Sequence, residues 1–251
     1  MVSAAEADRP VALVTGSTSG IGEAVARRLV DEGYFVILHS RSSATSGRAL
    51  AAELGNATYI QAELGDEAAR TRLVREGFAV WNRLDVLVNN AGITAVIAHD
   101  DLAAATPSIW HSLYELNVIA PFHLICEAEP FLRDATRRGA AGSVVNISSH
   151  AGVRPKGASI PYAASKAALN HTTRLLAVSL APEIRVNAVA PGLVDTPLTA
   201  TWTQAQELWR ECAPMRRAAA PADIAQAVMM LVNSDYLTGE ILLSDGGLNL
   251  T

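Results

Sequence analysis

The sequence predicts an α/β fold: a doubly wound sheet of seven parallel strands with helices on both faces, in three α/β/α layers. Three observations carry this. Val11-Ala12-Leu13-Val14 is a short apolar run that passes through a glycine-rich turn into a segment of helical periodicity. Similar apolar runs recur along the chain, separated mostly by helix-period segments, and such βα alternation builds a parallel sheet. No proline- or serine-rich linker, composition shift, low-complexity tract or further internal repeat divides the 251 residues, so 1–251 reads as one domain.

Taken in order, the first strand runs into Thr15-Gly16-Ser17-Thr18-Ser19-Gly20-Ile21-Gly22, and Glu23 to Asp31 carries the helical period. Glycines let a backbone turn tightly and approach a pyrophosphate, whose charge the free N–H groups of a helix start stabilise. The spacing is G-x-x-x-G-x-G, not the generic G-x-G-x-x-G, so alone it fits either a dinucleotide site or an ordinary tight turn. Further strands are expected at Phe35 to Leu38, Thr58 to Gln61, Val86 to Val88, Val144 to Ile147, Val186 to Val189 and Ile241 to Leu243. A helix follows Pro161, which suits a first turn; Ala167, Ala168, Leu169, Leu175 and Leu176 give it apolar positions, and Pro182 stops it.

Composition narrows the function. The net charge of -5 and the absence of a basic stripe argue against nucleic-acid or anionic-membrane partners. No apolar run of about 18 residues is present to span a bilayer. Met1 to Pro10 holds Glu6, Asp8 and Arg9 without an apolar stretch, which is unlike a secretory signal and predicts a flexible N-terminus over 1–9 and a cytoplasmic protein. Cys126 and Cys212 have no metal-ligand spacing and read as core filler; no metal site is expected.

The helix after Pro161 carries the chemistry. Tyr162 and Lys166 are four residues apart and share a face. The chain has only two lysines, Lys156 and Lys166, against eighteen arginines, so a lysine here stands out. A cation near a phenol favours the phenolate, and a phenol so tuned can serve as general acid or base. Alone, the pair equally fits a buried tyrosine with a snorkelling lysine.

Together with Asn89-Asn90-Ala91-Gly92, Asn117, Ser149 and Pro191-Gly192-Leu193-Val194-Asp195-Thr196, these residues resemble the short-chain dehydrogenase/reductase family, in its single-domain branch. The likeness runs from Thr15 to Gly247, and 3-oxoacyl-carrier-protein reductases are the nearest general type. It implies a Rossmann-type fold and an NAD(P)-dependent oxidoreductase acting on a small carbonyl or secondary alcohol. By that resemblance Ser149, rather than its neighbour Ser148, holds the substrate carbonyl and Tyr162 protonates the developing alkoxide. Lys166 binds the nicotinamide ribose and depresses the tyrosine pKa, and Asn117 holds a water for proton resupply. Alternative readings on the same scaffold are an epimerase or dehydratase that retains its cofactor, or a dinucleotide sensor without turnover.

The cofactor contacts implied are Gly16, Ser17, Thr18, Ser19, Gly20, Ile21 and Gly22; Ser40, Arg41 and Ser42; Glu63 and Leu64; Asn89, Ala91 and Gly92; Tyr162 and Lys166; and Pro191, Gly192, Val194 and Thr196. At the end of the second strand an acid would select NAD, but His39-Ser40-Arg41-Ser42 offers serine and arginine, which favours the 2'-phosphate of NADP, with NAD possible. Residues 193–220 are expected to form a substrate lid. Trp202 and Trp209, two helical turns apart, suit either substrate contact or core packing. Thr94 to Thr106, with His150, Val153 and Pro155, would supply other walls. The resemblance also implies a homo-oligomer, tetramer or dimer, through the helices bearing Asn117 and Tyr162. Leu113, Leu116, Ile119, Leu124 and Ile125 are apolar enough for that role or for packing on the sheet.

Overall fold

The computed structural model describes residues 9–251. Its strands are β1 (Val11–Val14), β2 (Phe35–Ser40), β3 (Ala57–Gln61), β4 (Val86–Asn89), β5 (Gly142–Ile147), β6 (Ile184–Pro191) and β7 (Ile241–Ser244). They form one sheet in the order β3-β2-β1-β4-β5-β6-β7, parallel throughout. The direction of winding reverses between β1 and β4, so the connections leaving their carboxyl ends part and open a crevice. All seven expected strands are present, most of them a residue or two longer.

The helices are α1 (Gly20–Asp31), α2 (Ala44–Leu54), α3 (Glu67–Trp81), α4 (Pro107–Tyr114), α5 (Ala120–Arg133), α6 (Ile160–Leu180), α7 (Thr203–Cys212) and α8 (Pro221–Asn233). Side chains of a strand alternate between faces, and β1 shows the result. Val11 and Leu13 pack with Leu73, Leu124 and Val186 on the face covered by α3, α5 and α6. Ala12 and Val14 pack with Val25, Leu29, Ile224 and Val228 under α1 and α8. All four residues of β1 are fully buried, which is why a strand covered on both faces reads as an unbroken apolar run.

Helix α1 starts at Gly20, so the last part of the glycine turn is already its first turn. Pro161 stands in the first turn of α6, where the Ser159 hydroxyl accepts from the Tyr162 amide at 3.3 Å. Between α4 and α5 lies a π-helical turn, Glu115–Ile119, carrying Asn117.

Of the two roles open to the apolar residues around Asn117, packing in the core of this chain takes Leu113, Leu124 and Ile125 and leaves Ile119, with Phe122, exposed. Two expectations change. Leu175, expected as an apolar packing position of its helix, is 56% exposed. Cys126 and Cys212 are exposed, not core filler, because they sit on the outer faces of α5 and α7. The expected flexible segment 1–9 falls outside the described residues except for Arg9, which is anchored: its guanidinium donates to the Gly33 carbonyl at 2.7 Å and covers the Phe35 ring.

Candidate active site

A cavity of about 1150 Å³ runs along the carboxyl ends of the strands, from the glycine loop to the 193–220 segment. At one end the loop after β1 is shaped by glycine. Gly16 and Gly20 hold φ of 62° and 55°, in the left-handed region that side chains disfavour. A Cβ on Gly22 would lie 2.2 Å from the Gly16 carbonyl oxygen, so the helix start can press against the loop only without one. The Asn90 amide donates to the carbonyls of Thr15 and Gly16 at 2.9 and 3.0 Å, while the Thr15 hydroxyl accepts from the amides of Asn90 and Ala91. Gly16, Thr18, Ser19, Gly20 and Ile21 line the cavity.

Under the loop sits His39, the penultimate residue of β2 and 2% exposed. Its Nδ1 accepts from the Gly16 amide at 3.1 Å, and its Nε2 lies 3.0 Å from the Ala62 carbonyl. Burial lowers its pKa, against smaller opposing pulls from the Ala62 carbonyl and from Glu63. Beyond it Ser40, Arg41, Glu63 and Leu64 line the adjoining wall. The Ser40 hydroxyl is shared with Tyr59 at 2.7 Å, and exposed Arg41 approaches Glu63 at 3.9 Å.

The other end brings the predicted proton-transfer residues together. Ser149, just past β5, hydrogen-bonds Tyr162, and its hydroxyl also accepts from the Ala151 amide at 3.1 Å. Ser148 is turned away, with its hydroxyl directed at the Lys166 carbonyl at 3.4 Å. Lys166 is 6% exposed, and its ammonium donates to the Ile147 carbonyl at 2.8 Å. Asn117 stands behind them, buried. Its amide donates to the Ile93 carbonyl and the Ser165 hydroxyl, and its oxygen accepts from the Ile93 amide. Gly92 gives it room, since a Cβ there would come within 2.8 Å of the Asn117 oxygen.

The electrostatics differ from expectation in one respect. The Tyr162 pKa is raised, not depressed, because burial outweighs the Ser149 hydrogen bond that lowers it. Lys166 is 6.0 Å from the centre of the tyrosine ring, and burial lowers its own pKa to about 8. Tyr162 is therefore a neutral phenol at neutral pH, and Lys166 is a cation held at a cost.

Not every predicted cofactor contact reaches the cavity. Asn89 points into the α6 side of the sheet, donating to Asn146, which in turn donates to Thr173. Its neighbour Asn90, missed by sequence reasoning, lines the site instead. Ser17 is fully buried, spent on the backbone of His39, and Gly22 supports the loop from behind. Ser42 lies past the rim, outside the lining residues.

The remaining wall is formed by Pro191, Gly192, Val194 and Thr196 and by α7. Thr196 closes on the glycine loop: a Cβ on Gly20 would meet its methyl at 3.2 Å. Trp202 and Trp209 both line the cavity rather than fill a core, and a Cβ on Gly192 would come within 2.9 Å of the Trp209 ring. The Trp209 ring also meets His150 edge-on at 6.1 Å. His150 is a wall residue as expected, its Nε2 lying 3.5 Å from the Asp245 carboxylate.

These residues fit a dinucleotide. The glycine turn brings the backbone of Thr18, Ser19 and Gly20 to the cavity wall, where phosphates can approach it, and Lys166 has donor capacity beyond Ile147 for ribose hydroxyls. Among the described residues no cluster of side chains could hold a metal ion, and no helix is long and apolar enough to cross a membrane.

Comparison with known proteins agrees with this arrangement. The family model described as enoyl-(acyl carrier protein) reductase matches residues 16–249. A protein of Streptomyces violaceoruber named as ketoacyl reductase 2 of the granaticin polyketide synthase is 48% identical over 250 residues, covering 97% of each chain. The NADP active-site complex of RhlG from Pseudomonas aeruginosa superposes with a TM-score of 0.88 at 33% identity, over 95% of this chain and 96% of that one. The 3-ketoacyl-(acyl-carrier-protein) reductase of Brucella melitensis, complexed with NADH, gives 0.88 at 30% identity, over 95% and 98%. The chain belongs to the short-chain dehydrogenase/reductase family.

Proposed function

We propose that the protein is an NADP-dependent oxidoreductase that reduces a ketone to a secondary alcohol, with Tyr162 as general acid. The observation that carries this is the meeting of Ser149, Tyr162 and Lys166 at one end of a cavity whose other end is a glycine loop. Bound NADPH would supply the hydride. The Ser149 hydroxyl donates to the carbonyl oxygen, and the Tyr162 phenol delivers its proton to that oxygen as negative charge develops. A raised phenol pKa suits reduction, because the acid form is the one present at neutral pH. Lys166 holds the ribose hydroxyls, and Asn117, fixed at Ile93 and Ser165, orders the path by which the proton is replaced.

The likeness to ketoacyl reductases supports a β-ketoacyl chain as the substrate class. The apolar wall of Trp202, Trp209, Leu198 and Val96 suits one, with 193–220 as its lid. Arg41, with no acid at the end of β2, supports NADP over NAD. Exposed Ile119, just before α5, and Phe122 within it, with Leu175 and Val178 on α6, support a homo-oligomer built through these helices. A cytoplasmic site of action fits the free, exposed cysteines.

The test is NADPH oxidation with ketones, β-ketoacyl thioesters and sugars as substrates. β-Ketoacyl thioesters should be the best of these. Tyr162→Phe should keep the cofactor dissociation constant and lose turnover by at least about a hundredfold. Turnover of the Phe variant near that of the parent would remove Tyr162 from the chemistry.

A further inference from the structure

His39 has no part in the proton transfer just described, yet it touches the phosphate-binding loop directly. The hydrogen bonds fix its state. The Gly16 amide can only donate, so Nδ1 must carry a lone pair; the Ala62 carbonyl can only accept, so Nε2 must carry the proton. Both ring nitrogens are thereby satisfied by a neutral imidazole. A second proton would set an N–H against the Gly16 N–H at 3.1 Å. Gly16 is the residue whose left-handed conformation turns the loop.

We propose that His39 is a positioning residue for the glycine loop, working only as the neutral imidazole, so that protonation of the ring releases Gly16 and weakens dinucleotide binding. This rests on the dinucleotide reading of the site. The ring's contribution is separable from that of the strand. The backbone of His39 is joined to Ser17 independently, by the Ser17 amide to the His39 carbonyl and by the His39 amide to the Ser17 hydroxyl, both at 2.9 Å. Protonation therefore acts on one peptide of the loop and leaves its attachment to β2 in place.

The surroundings set where this occurs. Burial favours the neutral ring, so the change falls below the ordinary histidine range. The Ala62 carbonyl, and less strongly Glu63 after β3, pull the other way. Arg41, on the ring's own strand end, is paired with Glu63 at 3.9 Å. Ser17 and the carbonyl of Ala62 complete the shell and do not titrate in this range.

Two substitutions divide the ring's roles by position. His39→Asn keeps an acceptor at the δ position for Gly16, has no titrating group, and loses the bond to Ala62. His39→Gln keeps a donor at the ε position for Ala62 and loses the acceptor for Gly16. The experiment is the dissociation constant of NADPH, and in parallel of NADH, followed by nucleotide fluorescence from about pH 8 to about pH 5.

Parental affinity should fall by on the order of tenfold toward acid, the worth of one hydrogen bond. His39→Asn should bind like the parent at about pH 8 and follow only the nucleotide's own 2'-phosphate titration, which NADH lacks. His39→Gln should bind weakly throughout. Parallel profiles for the parent and His39→Asn, stronger parental binding in acid, or parental affinity in His39→Gln would each overturn the proposal. Should neither variant fold, the parent with NADH decides: a flat profile overturns it and an acid loss supports it. No binding of either nucleotide by the parent at about pH 8 would instead overturn the dinucleotide reading.

Discussion

Replacing Lys166 by methionine should separate what this residue does for the site from what it does to the fold. Its ammonium is buried and its pKa is lowered from 10.5 to about 8 by burial. In the unfolded chain the group keeps its ordinary value, so between about pH 8 and 10.5 the unfolded state binds more protons than the native one. Stability contributed by this group therefore rises with pH across that window, and it is at its lowest below about pH 8, where both states are charged. Two and a half units correspond to roughly 3 kcal/mol.

Methionine removes the charge, but it leaves the Ile147 carbonyl without the 2.8 Å bond it now accepts, a loss of about 1–3 kcal/mol. At neutral pH the two effects nearly offset, and the cofactor-free variant should be about as stable as the parent while being inactive. The informative quantity is the difference between parent and variant in urea unfolding free energy, measured at several pH values from about 7 to 10.5. The parent should gain roughly 3 kcal/mol relative to Lys166→Met over that range. Titrating groups that do not interact with Lys166 cancel in the subtraction. Parallel curves would mean that Lys166 is as well solvated in the fold as out of it, and the argument for a cation kept for function would fail.

Two further outcomes follow from the cavity. Gly22→Ala should destabilise the protein by about 1–3 kcal/mol through overpacking and remove nucleotide binding, because the new methyl meets the Gly16 carbonyl. Gly33→Ala, strained at φ of 93° but uncrowded, should keep binding; thermal melts with and without NADPH compare them, and equal loss of binding in both would refute the crowding argument. Arg41→Ala should weaken NADPH by about tenfold and leave NADH unchanged, as charge-assisted pairing with a 2'-phosphate requires. Equal effects on both nucleotides in a fluorescence titration would assign Arg41 to the loop rather than to the phosphate.

The sheet was legible because parallel strands buried on both faces appear as continuous apolar runs, while their polar ends did not fit the pattern. That is why β2 runs on through His39 and Ser40 and β4 through Asn89. Strand phase would have separated Asn89 from Asn90. Asn89 alternates with Leu87, which packs with the α5 and α6 core, so its side chain had to face those helices and not the crevice.

The group Ser149, Tyr162 and Lys166 was legible through its family spacing; the sign of the tyrosine shift was not, since it depends on how much water the fold excludes from the ring. His39 gave no local signal at all. Its partners are 23 residues away on either side in sequence, and only the assembled sheet brings Gly16 and Ala62 to its two nitrogens.

The π-helical turn at Glu115–Ile119 amounts to one extra residue absorbed within a continuous helix, closed by the Ala120 amide on the Glu115 carbonyl. Each residue advances an α-helix by about 100° and 1.5 Å. Deleting one residue here would restore an ordinary helix, but it would rotate the two halves against each other by that amount. Either Asn117 would leave Ile93 and Ser165, or Leu124, Ile125 and Leu132 would turn out of the core. Helix length at this point is thus locked to a single value, and a shortened chain would have to choose between the anchoring of Asn117 and its interior.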